Sequence, residues 1–266
     1  MAQRNWTREE LIVALNLYCK IPFKESRASH PLVIEYAKLI GRSPAAMNLK
    51  IGNLGRFDPL LQAKGITGLV NGSKLDELVW NEFMSNPEAL SYESERILAK
   101  LRKTNVETVL NITVNDLPQG VEKESVIRQR VNQRFFRDAV IAAYNGTCCV
   151  SGVAISSLIE ACHISPWADD VKNRTNPRNG LCLNSFFHKA FDNWLFTITP
   201  DFVIDIRQEL IDSVDDDSFR NYLIKISGRN MYMPEKFAPD VYLLKEHYIQ
   251  YSKMKFYDNS TTNKRW

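Results

Sequence analysis

His163 lies in the stretch "SLIEACHISPW", residues 157–167, and His188 and Asp192 lie in "LCLNSFFHKAFD", residues 181–192, with Asn179 between them. The chain has only four histidines, so where they fall is informative. A neutral imidazole accepts a proton near physiological pH, and imidazole with carboxylate oxygens is a donor set for a divalent ion. His188 and Asp192 are four residues apart, so on a helix they project from one face, one turn from each other. On a strand ending at His163, Glu160 and Cys162 point to one side and His163 to the other. A divalent ion caught between such a strand and helix would find the imidazole of His188 and the carboxylate of Asp192. His163 would then act on a water beside it.

The elements that must position these groups can be read outward from them. "TCCVSG" and "SLIEACHIS" are strand candidates, the polar stretch "PWADDVKNRTNPRNG" is a loop, and "LCLNSFFHKAFDNW" reads as a helix. Ahead of them "SVIRQRVNQRFFRDAVIAAYNG", residues 125–146, has helical spacing and carries Arg128, Arg130, Arg134 and Arg137. Those arginines suit bidentate contact with phosphates, and equally suit a solvated helix face.

Further toward the N-terminus the pattern is helical. Thr7 with Glu10 forms a capping-box signature before an apolar-periodic run to Lys20. "LVIEYAKLIGRSPAAMNLKIGNLGRF" predicts a helix ending near Gly41, then Ser43 as cap and Pro44 opening a second helix. That is a helix-turn-helix layout, whose second helix suits a DNA major groove. The window 42–64 holds four basic residues against one acidic residue. Asn48 and Asn53 are candidates for base edges, and Lys50 and Arg56 for phosphates or guanine. The same layout occurs in helical bundles that bind nothing. Helices near 74–84 and 91–101 complete the unit. The expected organisation is a helical unit over 1–103, a polar linker over 104–124, a catalytic unit over 125–257 and a tail over 258–266. The catalytic unit is expected to work, without selectivity, when 1–103 is removed.

Bulk properties bound the rest. With 266 residues, 44% hydrophobic and 24% charged, the composition is globular. No apolar stretch approaches the ~20 residues of a membrane span, and the start lacks a secretory pattern, so a cytoplasmic protein without membrane contact is expected. Five cysteines in such a compartment predict reduced thiols. A formal net charge of +3 is too mild to announce nucleic acid by itself.

Taken in order, Cys149-x-x-Gly152, "EACHISPW" and "NGLCLNSFFHKAFD" resemble the His-Asn-His (HNH) nuclease family, in its branch of bacterial restriction endonucleases. The resemblance spans roughly 126–256, and loosely the N-terminal helices. It implies an α+β fold, with a helical, helix-turn-helix-like N-terminal domain before a ββα-metal nuclease domain with flanking helices. It places the general base at His163, the loop-bracing asparagine at Asn179, and a metal-ligating, catalytically required histidine at His188. Asp192 stands where many relatives carry a last histidine ligand, which favours one hard divalent ion, Mg2+ or Mn2+. Cys162 stands where many members have aspartate or histidine, with Glu160 on the same strand face as its substitute. Paired Cys-x-x-Cys staples are absent, so no structural zinc is expected.

The implied activity is hydrolysis of phosphodiester bonds in double-stranded DNA, leaving 5′-phosphate and 3′-hydroxyl ends, in a restriction or modification-dependent role. One such centre cuts one strand, so a duplex break takes a homodimer or two nicks. Two other readings stay open: a DNA-binding regulator with an inactive HNH domain, and a metal-stabilised interaction module without catalysis. His30 and His247 are read as a loop residue and a packed residue of the last helix. The acidic run 212–218 is read as the N-terminus of a helix.

Overall fold

The computed structural model describes residues 4–68, 73–109 and 123–258. Among them are α1 (Arg8–Lys20), α2 (Pro31–Leu39), α3 (Pro44–Gly55), α4 (Pro59–Ala63), α5 (Lys74–Met84), α6 (Pro87–Leu101) and the short α7 (Val106–Val109). The long α8 (Lys123–Ala143) leads into β1 (Ile159–His163), β2 (Gly180–Asn184), α9 (Ser185–Asp192), β3 (Phe196–Ile198) and β4 (Ile204–Ile206). Then come α10 (Gln208–Asp212), α11 (Asp217–Ile226) and α12 (Val241–Asp258). The fold is mixed but mainly helical, with two antiparallel two-stranded sheets, β1 with β2 and β3 with β4. No described helix is long and apolar enough to cross a membrane. Within the stretch read as a linker, α7 is helical and residues 110–122 lie outside the described residues, as does the tail beyond Asp258.

Helix α1 is the hub. Thr7 and Glu10 close the capping box in both directions, and Glu10 also takes the Arg42 guanidinium at 2.7 Å. Ten of its thirteen residues are buried, which a helix apolar on most sides requires. It packs against α2, α3, α5, α6 and α8. The α2–α3 turn has Gly41 at φ +65° and Ser43 capping α3 at 3.2 Å.

Half of the residues expected to read DNA face inward. On α3 the buried face runs Met47, Lys50, Ile51, Asn53 and Leu54, so two of the four proposed DNA contacts point into the bundle. Lys50 is ion-paired at 2.8 Å to the fully buried Asp76 of α5 and sits over the Trp6 ring. Asn48 bonds the Ser26 hydroxyl at 2.7 Å, and Arg56 stacks on Phe57. This corrects the assignment of Lys50 and Asn53 to DNA: a lysine at helical core spacing was satisfied by an acid from another helix, not by solvent or phosphate.

A second correction concerns the hairpin. "TCCVSG" is a closed turn, not a strand: Gly152 donates to Cys148 O at 3.0 Å and Cys148 to Val153 O at 2.8 Å, with Gly152 at φ +76°. The second strand is instead Gly180–Asn184, read from sequence as the front of the helix. Leu181, Cys182 and Leu183 are fully buried, and Asn184 then caps α9 by accepting from Phe187 N at 2.9 Å.

The N-terminal helices and the remainder share one core. α8 buries Val131 and Phe135 among helices and lays Phe136 and Val140 over the hairpin. Gly180 sits directly beneath it, where a Cβ would collide with Val140. Lys236 is wholly buried and donates to the carbonyls of Tyr18, Cys19 (3.3 Å) and Ile21 (2.8 Å), so a residue beyond the hairpins caps the C-terminal end of α1. Its neighbour Phe237 donates its N–H to Asp58 Oδ2 at 3.0 Å. Burial lowers the Lys236 pKa to about 8.

Helix α12 closes over β3. His247 stacks between Phe191 (3.9 Å between ring centres) and Trp194 (4.5 Å), and its Nδ1 is hydrogen-bonded with the Thr197 hydroxyl at 2.8 Å. Burial lowers its pKa to about 4. The folded state therefore binds fewer protons at His247 than the unfolded chain between pH 6.5 and 4. This stabilisation is fully present above 6.5 and is lost as pH falls toward 4, by about 3 kcal/mol in all. Urea unfolding at both pH values should show that His247→Phe has a shallower acid loss than the unsubstituted protein. Parallel losses would refute the assignment.

Candidate active site and metal centre

The hairpin pairs His163 with Gly180, Cys162 with Leu181 and Glu160 with Leu183. α9 follows β2 without a break and packs on both strands. This brings three donors together: Cys162 Sγ, a His188 ring nitrogen and an Asp192 carboxylate oxygen all lie within 4.8 Å of one another. Cys162 Sγ is 3.9 Å from Asp192 Oδ1, and His188 Nε2 is 3.6 Å from Asp192 Oδ2. Burial, with Asp192 second, pushes the Cys162 thiol well above its usual pKa.

Glu160 stands outside this trio, contrary to its expected role as a ligand. Its carboxylate accepts from His188 Nδ1 and from the Ser185 hydroxyl at 2.9 Å. The bond from His188 holds the Glu160 carboxyl below its usual range. Because Nδ1 is engaged, Nε2 is the nitrogen turned toward Asp192. A carboxylate behind a histidine in this way fixes the ring and raises its basicity as a ligand.

His163 occupies the other side of the strand. Its ring stacks on Phe136 of α8, 3.6 Å between centres and 9° apart in plane, with the Trp167 edge 5.8 Å away. Nε2 lies 2.9 Å from the Arg174 carbonyl oxygen. A carbonyl only accepts, so Nε2 carries the hydrogen and Nδ1 keeps its lone pair. Burial lowers the His163 pKa below the ordinary value, with the Arg174 bond opposing it in part. The neutral imidazole is thus the form present at physiological pH.

Asn179 accounts for where that carbonyl lies. Its side chain is fully buried and spans the loop: Oδ1 accepts from Ser165 N at 2.8 Å, and Nδ2 donates to Ser165 O and Asn173 O at 3.1 Å each. Asn173 precedes Arg174, whose guanidinium Nε returns to Trp167 O at 2.6 Å. The loop is therefore tied at both ends of His163's hydrogen bond. Arg174, Phe136 and Trp167 were absent from the sequence reading of the site. A backbone carbonyl has no side-chain signature, and the two rings read as ordinary core.

The arginines of α8 divide. Arg130 is exposed, Arg128 lies 4.4 Å over the Tyr92 ring, and Arg134 is 3.9 Å from Asp138. Arg137 donates to Ile159 O at 3.5 Å, which sets its guanidinium beside β1. Cys148, Cys149 and Cys182 are buried as free thiols, with burial pushing Cys182 up to about 12 and Cys149 well above its usual value.

The donor trio fits a divalent ion: it is compact, chemically mixed and reinforced by Glu160 from behind. Residues 148–199, which run from the closed turn through β3, match the family model described as HNH endonuclease. No curated protein matches the chain.

Proposed function

We propose that the HNH endonuclease domain at residues 148–199 hydrolyses phosphodiester bonds of double-stranded DNA in a metal-dependent reaction, with His163 as general base. The observation that carries this reading is the pairing of a neutral, tautomer-fixed His163 with the Cys162 donor beside it on the same strand and the His188 and Asp192 donors on the helix packed against it.

Phosphodiester hydrolysis is slow because water is a weak nucleophile and the phosphate is already anionic. His163 Nδ1 takes the proton of the attacking water while the Arg174 carbonyl holds Nε2–H, so the ring does not rotate as it becomes charged. Asn179 holds the preceding carbonyl, that of Asn173, and so steadies the loop that presents Arg174 O. Cys162, His188 and Asp192 would hold a divalent ion, whose charge would offset that building on the phosphate and its leaving oxygen. Arg137, Arg134 and Arg130 follow one another at i, i+4, i+7 spacing on α8 and offer the substrate backbone a track that begins at β1. The modest charge of the remainder is consistent with contact along this track alone.

The finer reading is a restriction role, possession of which rests on the similarity of the segments flanking the domain to restriction endonucleases. It expects the chain, expressed in a bacterial host, to lower the plating efficiency of a phage.

The direct test uses supercoiled plasmid and the full chain after chelation. Nicked circles are expected on adding back a divalent ion and not in its absence. Absence of nicking with every ion, including Mg2+, Mn2+ and Zn2+, on modified and unmodified DNA would favour the inactive-regulator reading.

A further inference from the structure

We infer that Cys162 binds the ion as a thiolate, and that this centre selects a thiophilic divalent ion of the Zn2+ and Co2+ type over Mg2+. The inference rests on the reading of the cluster as the nuclease's metal centre, and it replaces the preference for Mg2+ or Mn2+ expected from Asp192 alone.

Three observations carry it. First, the strand-side donor is the sulfur: Glu160, the only oxygen donor on that face of β1, is committed to His188 Nδ1 and Ser185. An all-oxygen shell, which Mg2+ prefers, therefore cannot be assembled from the described side chains around His188.

Second, the separations suit a tetrahedral ion. Sulfur, nitrogen and oxygen at usual zinc distances stand roughly 3.3–3.7 Å apart around a tetrahedron, against ~2.9 Å for neighbouring oxygens about octahedral Mg2+. Cys162 Sγ lies 3.9 Å from Asp192 Oδ1 and His188 Nε2 lies 3.6 Å from Asp192 Oδ2, and one donor atom from each of the three residues falls within 4.8 Å of the others, an open spacing that fits the wider first set better than the second.

Third, the sulfur is already turned to the site. It lies 3.9 Å from Asp192 Oδ1, with the His163 carbonyl oxygen 3.5 Å away on its own strand, and the side chain is fully buried, so the sulfur already faces the other donors. On binding, the S–H bond breaks, the sulfur keeps the electron pair as a ligand, and the proton passes to solvent. Three protein donors leave the fourth position for water or substrate, the arrangement of catalytic rather than structural zinc.

The experiment titrates the chelator-treated full chain with Co2+ and follows near-ultraviolet thiolate-to-cobalt charge-transfer absorption, with bound cobalt counted after dialysis. One cobalt per chain with a saturable band is expected. Zn2+ should abolish the band one for one, and millimolar Mg2+ should leave it unchanged. Cys162→Ser should lose the band and weaken Co2+ binding by more than about 10-fold, the least that even an outer partner of a ligand contributes. Cys162→Asp, of similar size, should bind without the band and gain response to Mg2+, with circular dichroism confirming that both variants remain folded. Cobalt bound without the band, a band surviving Cys162→Ser, no cobalt bound, or displacement by Mg2+ would each overturn the inference. The nuclease reading fails separately: a chain that shows the band yet nicks no DNA with any ion keeps the metal class and loses the activity.

Discussion

His163→Ala is expected to lower the rate of DNA nicking by about 10²–10⁴-fold, the usual contribution of a positioned general base. DNA affinity should stay unchanged, because His163 contributes no charge in its neutral form and the arginines of α8 are untouched. The stacked neighbour Phe136 loses a ring partner, so a thermal scan must accompany the assay. His163→Gln, which keeps most of the volume and a donor for Arg174 O but has no basic nitrogen, separates the two effects. It should be as inactive as the alanine variant and more stable. Cleavage by either variant at the unsubstituted rate would place the base elsewhere. Single-turnover rates beside filter-binding affinities provide the measurement.

Removing residues 1–103 is expected to leave a chain that does not fold, rather than a free-standing, unselective nuclease. The deletion takes α1 and α6 away from α8, uncovering the face of α8 packed on them, and strips the Lys236 ammonium of the three carbonyls it caps. Each large apolar core side chain left in water forgoes about 2–3 kcal/mol, and the charge-assisted bonds of Lys236 to three carbonyls are lost as well. A domain has only ~5–15 kcal/mol of net stability. The milder Lys236→Met in the full chain should cost about 2–4 kcal/mol, since the α1 carbonyls lose a charged donor. Loss of the cooperative transition in the deletion, and a lowered urea midpoint in Lys236→Met, are the expected readings. A deletion that unfolds cooperatively and still nicks DNA would show that the catalytic unit stands alone.

What the sequence made legible was local. The capping box at Thr7 and Glu10, Pro44 after Ser43, and the four-residue step from His188 to Asp192 are decided by neighbours on one helix, and the structure has each helix in place. Glu160 and Cys162 do share the strand face toward α9. What separated their tasks was distance in space: Glu160 meets His188 and Ser185 at the start of α9, while Cys162 meets Asp192 at its end. Strand alternation gives the side of a residue and not its partner along the facing helix. Lys50 was misread for a related reason, because its acid, Asp76, lies 26 residues away on α5. The misplaced second strand has another cause. A short apolar run such as "LCLN" before a helix has no period of its own, and only its pairing with "IEACH" decides it.

The capping of α1 by Lys236 also bears on how the chain is made. The donors and acceptors lie 215 to 218 residues apart. Contacts of such range form late, because loop-closure entropy is lost before they return anything. At ~5–20 residues per second of synthesis, roughly 10–40 s pass between the emergence of α1 and of Lys236. Through that interval the first helix has a frayed last turn and an incompletely covered apolar surface, a ligand for chaperones that bind exposed hydrophobic segments. The last turn of α1 therefore reaches its final form only after Lys236 has been made.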